Sequence, residues 1–184
     1  FADTPPATIR HAGSGPDKGR QEKAHAHCAE VTPDGKHLCV VDLGIDRVKV
    51  YDFVGRAAGL KEVSSLTIQS VAGAGPRHIV FHPNKRLAFV LHELTNIVSS
   101  FAYTGDAFVH IQTLDTIPSD FREFSKAAAI KISADGQRLF TSNRGHDSIA
   151  TFAVDTATGK MERLAISKLA GKFPRDFEFM PGGK

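Results

Sequence analysis

The sequence contains no tryptophan, and only two cysteines, two methionines and two tyrosines among its 184 residues. Two thiols, Cys28 and Cys39, are too few for a disulfide framework. Both stand in apolar stretches and read as small core residues, which suits a reducing compartment and makes the cytoplasm the expected location. No apolar run approaches the ~18 residues of a membrane-spanning helix, and no signal-peptide pattern is present, so no membrane partner is expected. Charge of one sign is scarce too: 23 Lys+Arg against 20 Asp+Glu leave a formal +3. Without a Lys/Arg run, that excess does not describe a nucleic-acid binder, but it suits an anionic small molecule. The sequence opens on Phe1 and stops inside a repeat at Lys184, so the natural chain is expected to extend further.

What the chain does have is a repeat. TPDGKHLCVVDLGIDRVKVYDF from Thr32, HPNKRLAFVLHELTNIVSSFAY from His82 and SADGQRLFTSNRGHDSIATFAV from Ser133 align without a gap. Pro33, Pro83 and Ala134 correspond, and a fourth copy opens at Pro181 as PGGK. In each copy a turn rich in Pro, Asp, Asn and Gly precedes an apolar strand: His37 to Val41, Leu87 to Leu91, Arg138 to Ser142. A polar turn follows at Asp46, Asn96 or Asp147, most simply read as Asx caps, and then a strand ending on Tyr51, Phe101 or Phe152. A short strand comes before each turn (Cys28 to Val31, His78 to Phe81, Ala129 to Ile132, Asp176 to Phe179). An outer one comes after (Ser65 to Val71, Phe108 to Leu114, Arg163 to Leu169). The only helical signal is a single turn over Ser119 to Phe124, capped by Ser119.

Four short antiparallel strands at this period describe a β-propeller blade, and a β-sandwich with coincidental spacing is the bland alternative. The expected fold is all-β: one partial propeller domain over 1–184, present as an arc. Residues 1–23 read as the end of a preceding blade, 24–71, 72–120 and 121–171 as three blades, and 172–184 as the start of the next. The apolar faces of an open arc are expected to self-associate.

The repeat also isolates positions that are not filled alike. Six residues before the turn proline, where the innermost strand starts, stand His27, Arg77, Ala128 and Arg175. Ten residues after it, where the next strand ends, stand Leu43, Glu93 and Arg144. Both positions lie on the rim near the axis, where blades converge. Ionisable residues placed asymmetrically in a symmetric scaffold are what a site grafted on a fold looks like, although rim residues are also often simply solvated. His25 and His27 share a strand face but lack companions at metal-ligand spacing, so no metal is expected. His78, His82, His92 and His146 read as partnered surface or turn residues. Gly73-Ala74-Gly75-Pro76 lacks the Lys and Ser/Thr of a phosphate loop and reads as a crossover.

These residues resemble the lactonase β-propeller family of 6-phosphogluconolactonases and carboxymuconate lactonizing enzymes. The resemblance is carried by GSGPDKGRQEKAHAHCAEVTPDGKHLCVVDLGIDRV, GAGPRHIVFHPNKRLAFVLHELTN, QTLDTIPSDF, AAAIKISADGQRLFTSNRGHDSIATF and FPRDFEF, in that order. It implies a seven-bladed ring, of which this sequence would be about half. It implies an active-site quartet at His27, Arg77, Glu93 and Arg144, with no cofactor. It also implies hydrolysis of a small anionic sugar lactone such as 6-phosphogluconolactone. The alternatives are a lactonizing cycloisomerase and a non-catalytic propeller that binds a ligand or partner on its rim. Arg77 and Arg144, with Arg175 added from the repeat, would grip a lactone or carboxylate anion. Glu93 is the preferred general base and His27 the acid or water-orienting group. The neighbouring arginines keep Glu93 ionised but weaken it as a base, which leaves His27 as the other candidate base.

Overall fold

The turn that opens each repeat needs a backbone that most residues avoid. In the computed structural model, which describes residues 8–54 and 59–180, Gly35 and Gly136 both sit at φ 73°, and Lys85 takes the same place at φ 64°. Thr32 and Asp34 fasten the first of these turns, the Asp34 carboxylate accepting from the Lys36 amide at 3.1 Å. Ser133 and Asp135 repeat the arrangement in the third copy.

From these turns come three antiparallel meanders. The first comprises β1 (Ala26–Val31), β2 (His37–Asp42), β3 (Arg47–Asp52), β4 (Lys61–Glu62) and β5 (Ile68–Gln69), with β4 and β5 both paired to β3. The second comprises β6 (Pro76–Phe81), β7 (Leu87–His92), β8 (Ile97–Tyr103) and β9 (Phe108–Asp115). The third comprises β10 (Lys126–Ile132), β11 (Arg138–Arg144), β12 (Ser148–Val154) and β13 (Met161–Lys168). These sheets are the blades of a partial propeller.

The cores lie between blades, not within them. All of β7 is buried, and its alternate residues face opposite ways. Ala88 and Val90 join Cys39, Val41, Val48 and Val50 of the first blade. Leu87, Phe89 and Leu91 join Ile130, Leu139, Ala150 and Phe152 of the third. Each fully buried Leu, Val or Phe contributes about 1.5–3 kcal/mol, so adjacent blades adhere by the strand that both cores share.

Three sequence expectations are corrected. The outer strand expected over 65–71 is reduced to β5: a 3-10 turn at Ser64–Leu66 separates it from β4, which precedes the expected span, and turns Leu66 into the core between blades. Ser119 to Phe124 forms no helix. The Phe121 amide donates to Pro118 O at 3.1 Å, and no further turn follows to nucleate one. Asp176 to Phe179 is not a strand. It lies along the third blade, with Glu178 on Lys131 at 2.7 Å and the Phe179 ring against Phe140. The turn expected to follow it at Pro181 lies outside the described residues. Residues 8–25 also carry no strand.

Asp46, Asn96 and Asp147 do more than cap turns. All three are left-handed, at φ 54°, 53° and 51°. Each main-chain carbonyl accepts an amide at the end of its own outer strand: Ser70, Thr116 and Leu169 respectively. Each side chain reaches the segment that leads into the next blade. Asp46 accepts from the Gly73 and Gly75 amides at 2.8 Å, Asn96 exchanges two bonds with Ser125 at 3.0 Å, and Asp147 accepts from the Phe173 amide at 2.8 Å. One residue per blade thus clasps the crossover just before the rim residue of the following blade.

Candidate active site

The ladders of the three innermost strands are irregular at one point each. The register slips between Ala26 and Cys28, between Pro76 and His78, and between Ala127 and Ile130. One extra residue is inserted at each: His27, Arg77, and one of Ala128 and Ala129, which together face Ser142. A bulge bends the strand and re-aims one side chain, so the rim positions singled out by the repeat are re-aimed by backbone geometry. Glu93 follows β7 directly. Its amide donates to Gly75 O at 2.7 Å and its carbonyl accepts from the Ala127 amide at 3.1 Å, which fixes it between the crossover before it and the blade after it.

Glu93 is the hub of the site. Its side chain is 3% exposed. Oε2 accepts from Arg77 Nε at 3.0 Å and lies 2.9 Å from Arg144 Nη2. Oε1 accepts from Arg20 Nε at 3.3 Å and Nη2 at 3.0 Å. Both oxygens are therefore committed to guanidinium groups. Arg77 is anchored further by donating to Ala128 O, and its Nη1 lies 3.2 and 3.3 Å from the two His78 ring nitrogens. The His78 ring in turn meets His27 edge to face, with centroids 5.0 Å apart. The structure thus gathers His27, Arg77, Glu93 and Arg144 into one cluster and adds Arg20 and His78. Leu43 is fully buried. Arg175 is exposed and makes no direct contact with Glu93 among the described residues, although its charge is felt by His27 and Arg77.

Three positive charges face one carboxylate, and the protonation states follow. Burial pushes the Glu93 carboxyl up, but Arg144 and Arg20 outweigh it and hold the group below its usual range. Burial, reinforced by the Arg77 charge, lowers His27 to about 4, and the same two causes lower His78 to about 4. Both imidazoles are neutral at pH 7. Among the described residues, His27 Nδ1 and Arg144 Nε are buried without a hydrogen-bond partner, unlike the side-chain oxygens of Glu93. A groove of about 730 Å³ runs along the innermost strands, lined by Cys28, His78, Ala129 and Asp176 close to these residues. No group of three His, Cys, Asp or Glu among the described residues is arranged to hold a metal.

Residues 2–184 match the family described as lactonase, 7-bladed β-propeller.

The chain belongs to this lactonase propeller family.

It is 41% identical over 180 residues to the 6-phosphogluconolactonase of Bacillus subtilis, covering 97% of this chain and 50% of that protein. A protein of Lactococcus lactis without an assigned activity is 40% identical over 174 residues, with 94% and 50% covered. Among solved structures, the periplasmic gluconolactonase of Pseudomonas aeruginosa superposes with a TM-score of 0.87 at 34% identity, over 94% of this chain and 49% of that one. The chain spans about half the length of the relatives it matches.

Arg20 and His78 were not singled out from the sequence. Arg20 lies before the first repeat, so no sister position exposes it as unusual. His78 occupies an ordinary strand position, and its role depends on the bulge that turns Arg77 against it.

Proposed function

We propose that this site hydrolyses a small anionic lactone, with a phosphorylated sugar lactone such as 6-phosphogluconolactone as the substrate class. One observation carries the reading: a buried carboxylate holds three guanidiniums at a rim, beside a neutral histidine with an unpartnered ring nitrogen. Such a surplus of positive charge is costly to bury without an anion to receive. Guanidiniums suit a phosphate or carboxylate, and they also suit the oxyanion that develops when water attacks a lactone carbonyl.

The arginine contacts assign the roles. Every Glu93 oxygen is engaged by arginine, so Glu93 fixes the arginines instead of taking a proton. No arginine holds the His27 ring among the described residues, so His27 is assigned as the base that removes a proton from the attacking water. A pKa near 4 is low for this work. A bound anion would offset the arginine charges that depress it and bring the imidazole closer to the working range. His27 then returns the proton to the ring oxygen as the tetrahedral intermediate collapses, which leaves the hydroxy acid.

The test is kinetic, on the complete protein. His27→Ala should lower kcat for 6-phosphogluconolactone by on the order of 10²–10⁴-fold, the usual worth of a general base, with little change in affinity for the product acid. Glu93→Gln should both raise KM and lower kcat, because the arginines lose their common anchor. A His27→Ala enzyme with unchanged kcat removes the base assignment. Absence of lactone turnover by the wild type removes the hydrolase reading.

A further inference from the structure

The third guanidinium of the cluster comes from outside the blades. Arg20 sits in a turn closed on itself. The Gly15 amide donates to Gln21 O at 2.8 Å, the Gln21 amide to Asp17 O at 2.6 Å, and the Asp17 carboxylate accepts from the Gly19 and Arg20 amides at 2.9 and 3.1 Å. The turn is bolted to the first blade by Gln21, whose fully buried side chain donates to Leu43 O and to Asp46 Oδ1, each at 2.8 Å. Asp46 is the same residue that clasps the Gly73–Gly75 crossover leading to Arg77. One buried carboxylate therefore sets the positions of both Arg20 and Arg77 around Glu93.

The three arginines are not equally free. Arg77 is 3% exposed and tied to Glu93 and Ala128 O. Arg144 is 14% exposed and spends Nη2 on Glu93 and Ala127 O. Arg20 is 37% exposed and uses only Nε and Nη2 on Glu93. Its Nη1 makes no hydrogen bond among the described residues. An arginine anchored along one edge and open at the other can present a fixed fork to an incoming oxyanion.

We infer that Arg20 is the specificity-determining residue of this site and grips an anionic group that the substrate carries outside its lactone ring, while Arg77 and Arg144 serve the reacting carboxyl end. This rests on the lactonase reading above. The anion is a phosphate or a carboxylate, and the substrates used in the test distinguish them.

Arg20→Met and Arg20→Lys would be compared with wild type in the complete protein, on three lactones: a phosphorylated sugar lactone, its unphosphorylated counterpart and a carboxylate-bearing lactone. Arg20→Met should lose on the order of 10²-fold in kcat/KM on the lactone bearing the recognised anion, as expected when one partner of a desolvated charge pair is removed. Turnover of the unphosphorylated lactone should fall less, so that the preference between the two substrates narrows. Arg20→Lys, which keeps the charge but loses the fork, should fall in between. Selective loss on the carboxylate lactone alone would name carboxylate as the anion. An equal loss on all three would make Arg20 a mere anchor for Glu93 and overturn the inference, as would no loss on any. If the wild type turns over no lactone, calorimetry with 6-phosphogluconate and with inorganic phosphate still decides. Binding weakened in Arg20→Met keeps Arg20 as an anion site while the lactonase reading falls, and unchanged binding removes both.

Discussion

At the scale of single residues, the cluster trades stability for preorganisation. A buried carboxylate with several buried cations is weak evidence of net stabilisation, but deleting one member leaves an uncompensated charge at a cost of about 3–5 kcal/mol. Arg77→Ala should therefore show two effects: lower thermal stability, because Glu93 and Ala128 O both lose a donor, and in steady-state kinetics a higher KM with a lower kcat. Leu43→Met, a volume-conserving change at the fully buried sister position of Glu93, should leave most of the activity. Wild-type kcat and KM in Arg77→Ala would remove arginine from the binding step. Comparing unlike residues at like positions made His27, Arg77, Glu93 and Arg144 legible in the sequence. The sequence favours Glu93 over His27 as the base, whereas the distances, which put both Glu93 oxygens on arginines, favour His27 instead. Arg20 escaped because a residue outside a repeat has nothing to be compared with.

At the scale of the element, the hairpin turns record where the repeat has drifted. Lys85 occupies the left-handed place that Gly35 and Gly136 hold in the other blades, and an L residue is less favourable there by about 1–2 kcal/mol. Lys85→Gly should raise the urea midpoint, less whatever the added freedom of the unfolded chain returns. The reverse change separates strain from crowding. A Cβ at Gly35 meets nothing within 4 Å, whereas one at Gly136 would come 2.2 Å from His82 Nε2. The His82 ring has little room to yield, since Nε2 lies 3.1 Å from Gly136 O and Nδ1 accepts the Asn84 amide at 2.9 Å. Gly136→Ala should accordingly lower the midpoint more than Gly35→Ala, and equal shifts would mean that only the dihedral matters. The turns and inner strands were legible because their residue types are dictated by dihedrals and burial. The shortened outer strand of the first blade was not, since Leu66 and Ile68 read equally well as one strand. The clasping role of Asp46, Asn96 and Asp147 was also hidden, because their partners lie in the following blade.

At the scale of the molecule, acid sensitivity follows from the buried imidazoles. His27, His78 and His92 each have a folded pKa of about 4 against an ordinary 6.5, with burial the leading cause in all three. Between those values the unfolded chain binds protons that the folded one refuses, so stability is full above pH 6.5 and declines as the pH falls toward 4. The lowered carboxyl of Glu93 acts in the same direction at the acid end. Urea midpoints measured from pH 7 to pH 4.5 should fall progressively, and a flat profile would show these histidines to be solvated. The propeller class was legible because the period repeats three times, while the bulges have no residue signature and appear only as slips in pairing. Those slips bear on how such a ring can change its chemistry. Since the bulge belongs to the blade and not to the side chain it turns, a duplicated blade arrives with one aimed position already made. His27, Arg77 and Ala128 are three contents of that position. Ala128 carries no reactive group there, and its carbonyl serves as a support for Arg77. New catalytic groups can thus enter by single substitutions at a standing address, with the ladders and inter-blade cores that hold the ring together left untouched.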